Sequence, residues 1–319
     1  MRKTLTGLIA AAMTAALGTF ALHAEPLAYP QKVVTLVTHS SPGGGSDVFL
    51  RELSKYLGKY IAATFVVENV QGGSGAKAVA RVAAAPADGS VFYATTPTYI
   101  YTSLLSKPSA TYKDLEPLVN MFADSEVIYT RADGPYKTLK DVIDKAKSER
   151  GRWGASNPAS LERQAAEQLK RAAGVNAAIV THEGGGDMML NVLNGTLDIG
   201  IGEIQELRSQ IEAGKVRLLA TFNPQRIPEK PDVPTVKESG YDVSLVKFRG
   251  LAGPKGLPDD VTKVWDTAVK AVLEDPEYKK RYTEEVLVAN FIPHAEYPAF
   301  ITNFADTTEA FLKETGAVK

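Results

Sequence analysis

The chain is predicted to be an α/β protein of two lobes, each a parallel-rich sheet flanked by helices, joined by a hinge of two crossovers. Three observations carry this. Short Val- and Ile-rich runs alternate with segments of helical period, as where 33–38 is followed by Phe49, Leu50, Leu53, Tyr56, Leu57 and Tyr60. Gly-rich loops follow several of those runs. The series then restarts near Val127, and 319 residues are enough for two cores.

The first series reads as a strand over 33–38, a helix over 46–60, a strand over 65–68, an Ala-rich helix over 76–85 and a strand over 91–95. In the second, Thr138 and Asp141 open a helix with a capping pair. A strand over 153–156, a helix over 160–173 stopped by Gly174 and a strand over 177–181 follow. Next come a helix over 187–194 stopped by Gly195, a strand over 197–201, a helix over 203–213 stopped by Gly214 and a strand over 217–221. The stretch 223–234 carries four prolines and reads as surface loop. A strand over 244–252 and helices over 259–274 and 295–313 end the chain. Those helices have no sheet of their own and should pack back on the first lobe. The expected domains are therefore 25–126 plus 246–319 and 127–245, with crossovers near 127–131 and 245–250 and a ligand cleft between them.

Residues 1–24 read as a secretory signal peptide. Arg2 and Lys3 form the basic start, 5–22 is small, apolar and uncharged, and Ala24 supplies the small residue before cleavage. Threonines 4, 6, 14 and 19 make the stretch poorer than the roughly 20 apolar residues of a spanning helix. With no cysteine anywhere, a lipid anchor, thiol chemistry and disulfides are excluded. A formal net charge of −1 offers no field for nucleic acid. The expectation is a periplasmic, unlipidated monomer without metal or cofactor.

The loop His39-Ser40-Ser41-Pro42-Gly43-Gly44-Gly45-Ser46-Asp47 lies between the first strand and its helix. Successive glycines let backbone N–H groups approach a ligand, and the helix N-terminus adds free donors and partial positive charge. Asp47, in the first helical turn, is expected mainly to orient the loop. A second run, Glu68 to Gly75, and a third, His182-Glu183-Gly184-Gly185-Gly186-Asp187, also follow strands. Such loops at strand ends on two lobes point to ligand capture. None matches a phosphate-binding Walker loop or the dinucleotide fingerprint. Ser41, His182 and Asp187 could in principle form a hydrolase site. No zinc-protease helix or nucleophile elbow is present, and no catalytic residue is assigned. Glu203 and Glu206 share a helix face at i, i+3 and are expected to be solvated, as such pairs usually are. Glu203, after a strand, is nonetheless kept as a candidate contact.

Taken in order, these segments resemble the Bug/TctC-type extracytoplasmic solute receptors of tripartite tricarboxylate transporters. The resemblance rests on Tyr29-Pro30, Ser41-Pro42-Gly43-Gly44 with Asp47, Glu68-Asn69 with Gly72, Gly73 and Gly75, and Ala85-Pro86-Ala87-Asp88-Gly89. It continues through Gly184-Gly185, Gly195 with Asp198, 214–220, and Pro231-Asp232-Val233-Pro234-Thr235 with Glu238 and Gly240. It implies a type II-like periplasmic binding protein that closes on a small organic carboxylate and delivers it to large and small membrane subunits; the alternative is a ligand-sensing module for a signalling receptor. Carried over, the carboxylate contacts are Ser41, Gly43, Gly44 and Gly73. Thr95 and Thr96 are hydroxyl donors that could reach the same place, and Ser156, Asn157 and Ser160 should face the cleft from the second lobe.

Departures matter. The family often has an aromatic residue and Ala where this chain has Ser40-Ser41, Trp where it has Phe248, and Tyr-Lys where it has His182-Glu183. An inward Glu183 would repel a second ligand carboxylate by about 1–4 kcal/mol at intermediate dielectric. Either Glu183 points away, it pairs with His182, or the far end of the ligand is not anionic.

Overall fold

The computed structural model describes residues 25–318, so the predicted signal peptide lies outside the described residues. The first sheet contains β1 (Val33–Thr38), β2 (Thr64–Asn69), β3 (Val91–Thr95), β4 (Leu115–Asp124), β10 (Lys247–Pro254) and β11 (Val288–Ile292), in the order β11-β4-β10-β3-β1-β2. The second contains β5 (Glu126–Arg131), β6 (Gly151–Ala155), β7 (Ala177–Thr181), β8 (Ile199–Glu203) and β9 (Val216–Thr221), in the order β7-β6-β8-β5-β9.

Strand alternation builds each lobe as helices on both faces of a sheet. On the first sheet Phe92 and Ala94 meet the core under α1 (Gly45–Leu57) and α8 (Asp259–Glu274). Val91 and Tyr93 point the other way, toward α2 (Ala76–Ala83), α3 (Pro97–Ser106) and α10 (Tyr297–Glu314). On the second sheet Ile128, Trp153 and Ile199 pack beneath α4 (Leu139–Ser148) and α5 (Leu161–Ala173). Val127 and Tyr129 face α6 (Gly185–Leu193) and α7 (Ile204–Glu212). The late helices α8 and α10 do return to the first sheet, together with α9 (Pro276–Glu284) and β11.

Both sheets are mixed rather than parallel-rich. β1 pairs parallel with β2 and β3, and β6 with β7 and β8. However, β10 runs antiparallel to β3 and β4, and β5 antiparallel to β8 and β9. β11 also runs antiparallel to β4, while β5 and β10 run against their neighbours because each enters its sheet from the other lobe instead of through a βαβ connection. Residues 127–131, expected as a crossover, lie within β5 of the second sheet; the chain changes sheets at Ser125 alone. It returns through 222–246 into β10, whose first residue Lys247 lies in register with Asp124, the last of β4. The two crossings thus run side by side at the floor of the cleft.

Candidate functional site

Five helices of the two lobes begin at one small cavity. Its lining includes Gly45 and Ser46 of α1, Thr96 and Thr98 at the start of α3, Glu162 of α5, Gly185 of α6, and Glu203 and Glu206 at the start of α7. Each helix start presents backbone N–H groups without intrahelical partners and about half a positive charge. His39, Ser40, Ser156, Asn157 and Lys247 complete the wall. The cavity measures about 20 Å³. That is room for about one water-sized group, so an organic acid requires the lobes to part.

The lobes touch backbone to backbone. A Cβ added at Gly184 would lie 2.6 Å from the Ser41 nitrogen, and one at Gly186 would lie 2.7 Å from the Pro42 oxygen. The glycines of the first and third loops therefore serve close approach between lobes. Among the hydrogen bonds between the lobes, Gly45 N–H donates to Glu206 Oε2 at 2.9 Å, and Ala159 N–H to Ser74 Oγ at 3.3 Å.

Beneath the cavity lies a buried charge cluster. Lys247 Nζ donates to Glu126 Oε1 at 2.8 Å, to Glu162 Oε1 at 2.7 Å, and to Glu203. Arg249, fully buried, pairs with Asp124 and donates to Glu203 Oε1 at 2.9 Å. Burial raises the Glu203 carboxyl, but Lys247 and Arg249 outweigh it and hold the group at about 2. The same three glutamates keep the Lys247 ammonium charged despite its burial. Glu206 is different. Its oxygens accept the Gly45 and Glu203 N–H groups and no cation, and burial followed by the Glu203 charge pushes its carboxyl well up.

The predicted contacts divide. Ser40, Thr96, Ser156, Asn157 and Glu203 line the cavity. Gly44 is buried where the lobes meet, its Cα facing Gly185. Ser41 is buried against Gly184, its hydroxyl without a partner. Ser160 caps α5, its Oγ accepting Arg163 N–H at 3.0 Å. Thr95 is spent on Tyr297 at 2.7 Å. Asp47 accepts hydrogen bonds from Arg51, Asn69 and the Gly43 N–H, which outweigh its burial and hold its carboxyl low, so it braces the loop. Gly43 and Gly73 are exposed and outside the lining. Glu183 is exposed too, because its loop turns outward before α6, and His182 bonds Ala155 O and Asn191 instead of the cavity. No Ser41–His182–Asp187 arrangement forms: neither recorded bond of His182 goes to Ser41 or Asp187, and Asp187 is exposed.

The expectation that Glu203 and Glu206 are solvated is corrected: they are 4% and 6% exposed. Their helix starts at the cleft floor, where Lys247 and Arg249 arrive from β10. Sequence reasoning missed those two cations, Glu126, Glu162 and Thr98. A signal existed: Lys247 and Arg249 are the two charges in an apolar strand and, being two apart, share one face.

Two α/β lobes closing over convergent helix N-termini make a periplasmic-type solute-binding protein. The chain belongs to the TctC family, described as "Tripartite tricarboxylate transporter family receptor", whose profile matches residues 49–316. The "UPF0065 protein in gbd 5'region" of Cupriavidus necator is 27% identical, covering 97% of this chain and 96% of the relative. The structure of the periplasmic binding protein BugD superposes with a TM-score of 0.85 at 24% identity, covering 91% of this chain and all of BugD. An R. palustris protein solved with adipate gives a TM-score of 0.84 at 24% identity, covering 90% and 98%.

Proposed function

We propose that this protein captures a small organic carboxylate in the periplasm by closure of its lobes and delivers it to the membrane subunits of a tripartite tricarboxylate-type transporter. The observation that carries the reading is the meeting of five helix N-termini at one cavity. Such ends attract anions without needing an Arg or Lys partner. The ligand carboxylate would take the hydroxyl and amide donors Ser40, Thr96, Thr98, Ser156 and Asn157. The side-by-side crossings at Ser125 and Lys247 act as the hinge between 25–126 plus 246–319 and 127–245. The family assignment and a relative solved with adipate support both the carboxylate and the transporter. The role is binding, not catalysis.

The test is thermal unfolding of the mature chain with mono-, di-, tri- and aromatic carboxylates. A ligand at a hundred times its Kd adds about 2.7 kcal/mol to stability. Absence of any shift across the series would sink the reading. Delivery is tested by uptake of the identified acid in cells carrying or lacking this receptor beside its membrane subunits; equal uptake would remove the transport assignment.

A further inference from the structure

We infer that the turn joining α9 to β11 is a clasp for the closed form: Val286, carried by the first lobe, seats its side chain in the apolar core of the second and holds α7 in place beside the cavity. The inference rests on the lobe-closure reading above and deepens it. Val286 has a φ of 63° and, among the described residues, is the one β-branched residue in the left-handed region. It follows Glu285, the C-cap of α9. There Val286 N–H donates to Thr283 O and Leu287 N–H to Tyr282 O, both at 2.9 Å. Glycine usually ends a helix in this pattern, because a Cβ crowds the left-handed backbone. The cap therefore carries a strain that glycine would avoid, and strain of this kind points to a use for the side chain.

The surroundings of Val286 show that use. It is 5% exposed and belongs to an apolar cluster whose other buried members, Ile204, Leu207 and Ile227 among them, all lie within 127–227 of the second lobe. Its neighbour Leu287 packs in the core of the first lobe instead. Two residues before Val286, Glu284 Oε2 accepts from Arg208 Nη2 of α7 at 3.0 Å. Helix α9 is in turn fixed to α1: Arg281 Nε donates to Glu52 Oε1 at 3.1 Å, and the Tyr56 and Tyr278 ring centres lie 4.8 Å apart. The first lobe thus grips α7 twice, through Gly45 on Glu206 and through the 284–286 turn on Arg208 and the apolar cluster. Val288, just after the turn, pairs with Ala123, so the clasp acts beside the crossing at Ser125. Because α1 and α9 move as one body, a rotation that parts Gly45 from Glu206 also draws Val286 from its socket.

The experiment reads the distance between the lobes. The chain has no cysteine, so Lys140→Cys and Lys263→Cys, exposed on α4 and α8, give a single pair of spin labels with one in each lobe. Distance distributions are recorded without added acid and through titration with acetate, glutarate, adipate, citrate and benzoate. Val286→Gly should lower the closed-to-open ratio about tenfold, or raise by that factor the half-closing concentration of whichever acid closes the wild type. Its melting transition should stay near that of the wild type, since relieved strain offsets lost burial. Glu284→Gln, which leaves the valine in place, should shift closure the same way by about twofold. Closure unchanged by Val286→Gly would make the valine a strained cap and nothing more, overturning the inference and leaving closure on a carboxylate standing. If that variant fails to fold, Glu284→Gln decides, and closure equal to that of the wild type overturns the inference. A wild type that stays open in every arm overturns both readings.

Discussion

Glu206, at the start of α7 in one lobe, accepts a hydrogen bond at 2.9 Å from the N–H of Gly45, the first residue of α1 in the other. A carboxylate of the protein thereby sits at the helix terminus that the sequence marks for anion binding. The closed cleft is held partly by this contact, and its energetics depend on whether Glu206 is ionised.

Burial and the neighbouring Glu203 raise the Glu206 carboxyl well above its ordinary value. An acid raised in the folded state contributes stability below its unfolded value, and that contribution is lost as pH rises through the folded one. Glu206→Gln, which keeps an acceptor for Gly45 N–H, should match the wild type near pH 4 and exceed it by about 1–3 kcal/mol at pH 8. Urea unfolding across that range checks this. A variant less stable than wild type at pH 8 would show that the ionised group stabilises the closed form.

Among the described residues Lys247 is the one cation paired with Glu126 and Glu162. Replacing it with Met leaves buried carboxylates facing one another, and Lys247→Met should cost about 3–5 kcal/mol at neutral pH. The loss should shrink near pH 4.5, where protonation relieves the repulsion. A cost equal at both pH values would show that lost packing, not charge, is responsible.

His39 is buried beside Tyr93, its Nδ1 2.7 Å from the tyrosine oxygen. Burial depresses the imidazole from 6.5 to about 4. A lowered base favours its neutral form, so its stabilisation is full above 6.5 and is lost as pH falls toward 4. At 1.36 kcal/mol per pH unit that span corresponds to about 3 kcal/mol. Relative to wild type, His39→Gln should therefore lose less stability between pH 7 and pH 4, measured by denaturant unfolding. Parallel curves for the two proteins would remove His39 as the source.

Gly186→Ala tests closure directly. Its Cβ would lie 2.7 Å from the Pro42 oxygen of the opposite lobe, while nothing within its own lobe is among the nearest atoms. The melting temperature should change little, the radius of gyration in solution scattering should grow, and carboxylate affinity should drop about tenfold or more. Unchanged affinity with an unchanged radius would mean that the loops do not meet on closing.

How much of this was legible in the sequence varies by element. Helix α8 spans Asp259–Glu274, as its periodicity predicts, because one face packs on the sheet and the other meets solvent. The capping pair Thr138 and Asp141 is formed as expected, and Gly174 ends α5 in the left-handed conformation. Helix α3 was not predicted, since it is buried almost all round and shows no periodicity. Strand β4 was hidden by Pro117 and Asn120; the proline is tolerated because β11 pairs only from Asn120 onward.

By itself the sequence determined the alternation of strands and helices, the glycine loops at helix starts and the family that these segments spell, because such features arise from contacts within a few residues. The direction of β5 and β10 in their sheets, the burial of Glu203 and Glu206, and the charge that the cleft shows a ligand were decided only by the tertiary structure. Lys247 meets Glu126 from 121 residues away and Glu203 from 44. Whether a carboxylate is solvated or paired depends on which distant cation the fold brings to it, and no local pattern encodes that partner.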